Sequence, residues 1–248
     1  MTPEFGPVRE VFRELVASGR ESGAGLSIWH GGREVVCLSG GAKNATGEPW
    51  ADNTLVHTYS TGKPMAALTA LIADEAGWDL HLGVQEDDLG RVADLEYLDP
   101  EWPSVTLNPL FAYPAGTRNI GILNSTRWRR GSFPAIGLHA SASGPAKFYW
   151  QLTRPDGPVA RAIGPELLRE YTAVQASGQD HYLEHDVEWT LGFQIDEGDI
   201  VMGGAGGSGA WYSPELDYSL AYVTRGLGDH ERSIEIWHSV VECLSGDR

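Results

Sequence analysis

The sequence predicts a mixed α/β (α+β) fold, in which helices from both ends of the chain pack on an antiparallel β-sheet. Apolar residues recur with a helical period near the start of the chain and again from Arg232 to Leu244. Between them lie short apolar segments separated by glycine-rich turns, a pattern typical of antiparallel strands. Terminal helices with strands between them favour a sheet covered by helices.

The first third of the chain predicts a helix, a hairpin and a second helix. Val8 to Ser18 has a helical apolar period, and Gly25 to Gly40 has two apolar segments joined by a Gly-Gly turn, as in a β-hairpin. Thr54 to Thr58 leads into a helix predicted to begin near Ser60 and to end near Gly77. The chain is therefore expected to present Ser60 at the N-terminus of a helix.

The remaining elements follow a less regular stretch. Asp79 to Asn119 contains four prolines and little periodicity, so it is expected to be mostly irregular. After it, the sequence predicts the helices Gly144 to Leu152 and Pro165 to Val174 and the strands Trp189 to Ile195, Asp199 to Gly203, Ala210 to Ser213 and Tyr218 to Thr224. The whole chain, residues 1–248, is expected to form a single domain.

Composition excludes several classes of partner. The formal charge is 18 − 34 = −16, which argues against nucleic acids and anionic membranes. No segment resembles a signal peptide or a membrane span, so a cytoplasmic location is expected. Cys37 and Cys243 form neither a disulfide framework nor a metal cluster, and their apolar neighbours predict buried free thiols. No cofactor and no metal are predicted.

Ser60 and Lys63 form an S-x-x-K pair at the predicted helix start. Residues three apart on a helix share a face, so the hydroxyl and the amine are expected to lie close together. A partly desolvated lysine amine can take the serine proton, and the helix N-terminus favours an oxyanion at the serine. The pair alone is a weak signal, since a helix start with an exposed lysine has the same pattern.

Five segments in order resemble the serine β-lactamase-like superfamily, in particular its class C β-lactamase, esterase and transacylase branch. They are the hairpin Ser27 to Leu38, the segment Leu55 to Pro64, the segment Asn124 to Trp150, the segment Tyr171 to Phe193 and the segment Gly203 to Val223. The resemblance implies amide or ester chemistry through an acyl-enzyme on Ser60, with Lys63 as the base. It also implies an oxyanion hole formed by the backbone N–H groups of Ser60 and Ala205.

The chain departs from the pattern of this superfamily in two places. The Y-x-N triplet and the helical subdomain that carries it are missing, so residues 79–119 resemble a shortened remnant of a truncated member. The K-T-G strand motif corresponds to Met202-Gly203-Gly204, in which methionine replaces the basic residue. Both departures remove groups that handle protons, so hydrolysis of the acyl-enzyme is expected to be impaired.

Other residues are candidates by position. Tyr59, Tyr113, His57 and His139 could substitute for the missing base, although His139 is more often a packing residue in such a context. The predicted substrate-binding residues are Tyr59, Tyr113, His139, Met202, Gly203 and Gly204.

One sequence pattern matches a zinc-binding motif, but its context favours a loop. His181, Glu184 and His185 fit H-x-x-E-H, but the polar segment lacks the helix that a zinc site needs, so a solvated loop is expected. The glycine-rich segment Gly203 to Gly209 lacks the lysine of a P-loop.

The preferred hypothesis is serine-dependent hydrolysis or acyl transfer on a small molecule, including a step in biosynthesis. The alternative is a repurposed or inactive member of the same fold that acts as a binding subunit or performs other chemistry, and a zinc hydrolase is a weaker third class. Loss of a subdomain would leave the Ser60 face open, so a homodimer or a partner subunit that covers this face is also expected.

Overall fold

The computed structural model describes residues 5–65, 77–102, 116–181 and 183–246. Within these ranges the strands are β1 (Gly23–His30), β2 (Arg33–Gly41), β3 (Val56–His57), β4 (Leu80–Leu82), β5 (Glu96–Tyr97), β6 (Leu138–Ala140), β7 (Ala176–Gln179), β8 (Asp186–Trp189), β9 (Gln194–Asp196), β10 (Asp199–Gly203), β11 (Gly209–Ser213), β12 (Tyr218–Thr224) and β13 (Gly226–Leu227). The helices are α1 (Gly6–Ala17), α2 (Ile120–Leu123), α3 (Thr126–Arg129), α4 (Ser143–Leu152), α5 (Pro158–Ile163), α6 (Pro165–Thr172) and α7 (Glu231–Ser245).

An eight-stranded antiparallel sheet is the centre of the fold. Its strand order is β2-β1-β12-β11-β10-β9-β8-β7, so the N-terminal hairpin joins the last long strand of the chain. Strand β12 is buried along its whole length, because helices cover both of its faces. The sequence prediction of an antiparallel sheet flanked by N- and C-terminal helices is confirmed.

Helices α1 and α7 pack together on one face of this sheet. Apolar residues of both helices, among them Phe12, Leu15 and Ile236, form a core with the β1 and β12 side chains Ile28 and Tyr222. Their periodic apolar residues supply this buried stripe, as the sequence predicts. On the opposite face, α4 packs against β1, β11 and β12.

A separate three-stranded sheet leads the chain to Ser60. Its strand order is β3-β6-β4, and its register places His57 and His81 on either side of His139. A third pairing joins β5 to β13. The small sheet contains β4, so the described part of Asp79 to Asn119 is less irregular than predicted, because pairing with the distant strand β6 orders it.

Two further expectations are corrected. The predicted strand Trp189 to Ile195 is broken by a turn between β8 and β9, and the polar segment before it forms the additional strand β7. Cys37 and Cys243 are free thiols as predicted, but Cys37 is exposed and Cys243 half-buried. Cys37 lies on the edge strand β2, whose alternating residues face solvent.

Membrane-spanning helices are not found within the described ranges, since each helix there is too short or too polar to cross a bilayer.

Candidate active site

Ser60 lies on a tight turn that the small sheet holds in place. The backbone N–H of Thr58 donates to the carbonyl of Leu138 in β6 at 2.9 Å, and residues Ser60–Gly62 form a 3₁₀ turn that continues helically to residue 65. A Cβ at Gly62 would overlap the Leu138 side chain, so only glycine allows this close approach. Gly62 therefore allows the Ser60 turn to pack directly against β6.

Tyr59 has a strained backbone immediately before Ser60. Its φ of 48° and ψ of −130° lie outside the regions that non-glycine residues usually adopt. Its buried ring and the hydrogen bond from its hydroxyl to the carbonyl of Thr117 at 3.0 Å hold it there. Strain at this position turns the chain sharply from β3 into the Ser60 turn.

The structure brings the side chains of Ser60 and Lys63 into contact. Lys63 Nζ donates to Ser60 Oγ at 2.9 Å, and partial burial lowers the pKa of the Lys63 amine from its ordinary value. In the described part of the chain, no carboxylate forms an ion pair with Lys63. Burial disfavours the charged ammonium, and the neutral amine is the form that can accept the Ser60 proton.

The segment predicted to face Ser60 packs against the Ser60 turn. Gly204 follows β10, and a Cβ there would overlap the Thr58 carbonyl and lie 2.7 Å from Thr61 Oγ1. Thr61 Oγ1 also donates to the carbonyl of Ser208 at 3.3 Å. Ala205 follows Gly204 in a turn beside this contact.

Met202 supplies no ionisable group at the position where the resemblance implies a basic residue. It is 6 % exposed, and strand alternation places it on the same face of β10 as Ile200, which belongs to the α4 core. Gly203 points to the other face and is exposed.

Tyr59 and the two buried histidines are poorly suited to replace the missing base. Burial raises the pKa of the Tyr59 hydroxyl, which already donates to Thr117. Burial lowers the pKa of His57 to about 3, and burial together with the neighbouring His57 lowers the pKa of His139 well below its ordinary value. Their rings are 5.3 Å apart between centroids, so these neutral histidines pack against each other.

The nitrogens of this histidine pair are mostly unpaired. His139 Nδ1 lies 3.1 Å from the carbonyl of Gly137, whereas its Nε2 has no hydrogen-bond partner within the described residues. Neither nitrogen of His57 meets the geometric criteria for a hydrogen bond there, although the nearby Ile136 backbone opposes part of the fall in its pKa. Such burial explains why the pKa of each ring is depressed.

Tyr113 lies outside the described residues, so its predicted role remains a prediction.

Two residues near the site were missed in the sequence. His230, at the start of α7, has its ring carbon Cε1 3.4 Å from the position that a Cβ on Gly203 would occupy, and burial lowers the pKa of its imidazole. The Tyr171 hydroxyl donates to the carbonyl of Pro64, one residue after Lys63. Both contacts join segments more than twenty residues apart, and no local sequence pattern signals them.

The H-x-x-E-H segment forms the connection between β7 and β8. His181 and His185 are exposed, and Glu184 has a φ of 60°, which a helix would not contain. The loop that the sequence predicts is confirmed. No group of three potential metal ligands is found among the described residues.

A cavity of about 570 Å³ lies away from Ser60, between β9, β10, β11 and α7. Trp211, Trp237 and Asp199 are among its lining residues, and none of the predicted site residues is.

Comparison with solved structures identifies the fold. A penicillin-binding protein homologue from Caulobacter crescentus superimposes with a TM-score of 0.80 at 20% identity, covering 97% of each chain. A family VIII carboxylesterase gives a TM-score of 0.78 at 19% identity, covering 98% of each chain. EstCE1, a hydrolase with promiscuous acyltransferase activity, gives 0.63 at 13% identity over 94% of this chain and 97% of the other.

The chain thus shares its fold with a penicillin-binding protein homologue and a family VIII carboxylesterase. Residues 8–119 match the family model described as Beta-lactamase, while a search of curated protein sequences finds no significant match. This family match and the shared fold support the resemblance to the serine β-lactamase-like superfamily that is drawn from the motifs.

Proposed function

We propose that this protein performs serine acyl-enzyme chemistry on a small ester or amide. The observation that carries the proposal is the 2.9 Å contact between Lys63 Nζ and Ser60 Oγ, with a lysine pKa that burial lowers. Ser60 Oγ attacks the substrate carbonyl carbon while Lys63 Nζ accepts the hydroxyl proton. The bond to the leaving group then breaks, the acyl group stays on Ser60, and the Lys63 ammonium returns the proton to the leaving group.

The backbone N–H groups of Ser60 and Ala205 are the proposed oxyanion donors. The packing of Gly204 on Thr58 and Thr61 supports this role, because it holds the turn that contains Ala205 beside the Ser60 turn. Two aligned N–H groups would stabilise the negative charge on the tetrahedral intermediate.

Acyl transfer is as well supported as hydrolysis. Met202 carries no proton-handling group, and the chain contains no Tyr-x-Asn triplet, so water lacks the usual base. Among structural neighbours, EstCE1 is described as a hydrolase with promiscuous acyltransferase activity. A nucleophilic acceptor that is stronger than water would release the acyl group without that base.

Methionine at position 202 and the lack of a Tyr-x-Asn triplet also favour the second candidate function. This is a repurposed member of the fold that binds a small molecule without acylation. Under this alternative Ser60 would be dispensable. The homodimer or partner subunit that would cover the Ser60 face also remains a proposal, and light scattering of the purified protein over a concentration series would test self-association.

Intact-protein mass spectrometry tests the proposed function directly. The protein is incubated with a p-nitrophenyl ester and, separately, with a fluorophosphonate probe. We expect a single adduct that disappears in Ser60→Ala and is strongly slowed in Lys63→Ala. Lys147→Ala is the matched control, since it removes another lysine amine and should acylate normally. Absence of any adduct on the wild-type protein would favour the binding alternative.

A further inference from the structure

We propose that the buried Glu21–Arg232 ion pair is a positioning device for the oxyanion hole. It would act by anchoring residues Gly203–Ser208, here called the glycine loop, which contain Ala205. This inference rests on the proposed acyl-enzyme function and adds to it two positioning residues far from Ser60 in the sequence.

The Glu21–Arg232 ion pair is buried in the protein interior. Glu21 and Arg232 are 2 % and 3 % exposed, and Arg232 Nη1 lies 2.5 Å from Glu21 Oε2. The carboxylate also accepts hydrogen bonds from the Tyr222 hydroxyl, from Thr224 Oγ1 at 2.8 Å and from the backbone N–H of Gly23 at 2.8 Å. A buried charge pair with this many partners is held in one geometry.

The second guanidinium nitrogen of Arg232 reaches the glycine loop. Arg232 Nη2 donates to the carbonyl of Gly206 at 3.2 Å and to the carbonyl of Gly226 at 2.7 Å. A Cβ at Gly207 would lie 2.9 Å from the same nitrogen, so the loop backbone packs directly on the guanidinium. Arg232 therefore fixes the loop immediately after Ala205.

The other end of the glycine loop contacts the Ser60 turn. The Gly204 N–H donates to the Ser208 carbonyl at 2.8 Å, and that carbonyl also accepts from Thr61 Oγ1 at 3.3 Å. Ser208 Oγ in turn accepts from the backbone N–H of Thr224 at 3.2 Å. A continuous set of contacts thus runs from the ion pair through the loop to the residue after Ser60.

The composition of the loop explains why it needs an external anchor. Four of its six residues are glycine, and Gly206 and Gly207 have φ values of 98° and 107°. Such a segment has few side chains to fix its own conformation and high backbone entropy when released. Because an oxyanion donor must be aligned before reaction, loss of the anchor should slow acylation more than it weakens substrate binding.

Arg232→Lys is the informative substitution. An ammonium keeps the charge opposite Glu21 but lacks the fork that lets the guanidinium reach the Gly206 and Gly226 carbonyls at the same time. Arg20→Lys is the matched control, because Arg20 pairs with Glu235 of α7 at 2.5 Å on the surface and its side-chain hydrogen bonds go to Glu235, not to the loop. Glu21→Gln is the second variant, which keeps a hydrogen-bonding group while removing the charge.

Two readouts separate this inference from the proposed function. Stopped-flow acylation by p-nitrophenyl acetate should slow about 10- to 100-fold in Arg232→Lys with little change in ester affinity, and stay within about twofold in Arg20→Lys. Amide hydrogen exchange should accelerate in the glycine loop of Arg232→Lys while the α7 core stays protected. Glu21→Gln should shift both readouts in the same direction, and it carries the test if Arg232→Lys does not fold.

The positioning role would be overturned if a folded Arg232→Lys or Glu21→Gln variant showed the acylation rate and the glycine-loop hydrogen exchange of the wild-type protein. If the wild-type protein is never acylated, the proposed function fails, and the positioning role of the pair in catalysis fails with it, whatever the exchange shows. If the wild type acylates and the variants match it, only the positioning role fails.

Discussion

Lowering the pH should destabilise the folded protein because His57 is buried as a neutral ring. Its pKa falls from 6.5 to about 3 on folding, mainly because burial penalises the charged imidazolium. The unfolded chain therefore takes up a proton below pH 6.5 that the folded protein takes up only near pH 3. The contribution of His57 to the unfolding free energy is fully present well above pH 6.5. As the pH falls below 6.5, that contribution decreases by up to about 1.4 kcal/mol per pH unit.

The difference between the pKa values of His57 in the unfolded and folded states sets how much unfolding free energy is lost. Between pH 7.5 and pH 5.0, protonation of the unfolded His57 alone removes about 2 kcal/mol of unfolding free energy. His139 adds to the loss in the same direction, since its pKa is also lowered by burial. His57→Phe removes the titrating group and places an apolar ring among Tyr59 and Trp128, whose centroids lie 4.5 Å and 5.9 Å from the His57 ring.

Urea denaturation at the two pH values provides the assay. The free-energy loss between pH 7.5 and pH 5.0 should be about 2 kcal/mol smaller in His57→Phe than in the wild-type protein. His181→Ala, which removes an exposed histidine, should show the wild-type loss. An equal loss in His57→Phe and wild type would refute the assignment of His57 as a buried neutral ring.

Three further predictions concern the Ser60 turn. The acylation rate should rise with pH along a titration whose midpoint lies below 10.5, because burial lowers the Lys63 pKa, and stopped-flow kinetics across pH 6–10 would measure it. Gly204→Ala should lower the unfolding free energy by about 3 kcal/mol and slow acylation, because the new Cβ would overlap the Thr58 carbonyl. Urea titration would compare this variant with Gly90→Ala, whose new Cβ would meet no other atom. Tyr171→Phe should cost about 1–2 kcal/mol in the same titration, because the Pro64 carbonyl loses its buried donor.

Each of these predictions has a contradicting result. A pH-independent acylation rate would argue against Lys63 as the base. A Gly204→Ala variant as stable as Gly90→Ala would mean that the loop does not approach the Ser60 turn closely. Wild-type stability in Tyr171→Phe would show that the Pro64 carbonyl has another donor.

Local patterns in the sequence predict much of the fold and the contact between Ser60 and Lys63 in the candidate site. The apolar periods of α1 and α7 and the Gly31-Gly32 turn of the hairpin depend on neighbours along the chain, so they are visible without a structure. The spacing of Ser60 and Lys63 is local in the same sense. Such features are set by backbone geometry over a few residues.

The remaining features depend on distant contacts. Val56–His57 forms β3 only because Leu138–Ala140 lies beside it, and β4 completes the same sheet from a stretch rich in prolines and turns. β7 was missed because all four of its residues are exposed and lack an apolar alternation. The burial of His57 and the reach of Arg232 to Gly206 likewise arise from tertiary packing, which no local pattern encodes.

The close approach at Gly62 and Gly204 divides the surroundings of Ser60 into fixed and variable positions. Neither glycine has room for a Cβ, so almost any codon change at these two sites would be purged from a mutant library. Gly203, by contrast, is exposed, and a Cβ there would make only an ordinary contact with His230. Laboratory evolution toward new acyl groups should therefore find productive mutations at Gly203 and leave the two packed glycines untouched.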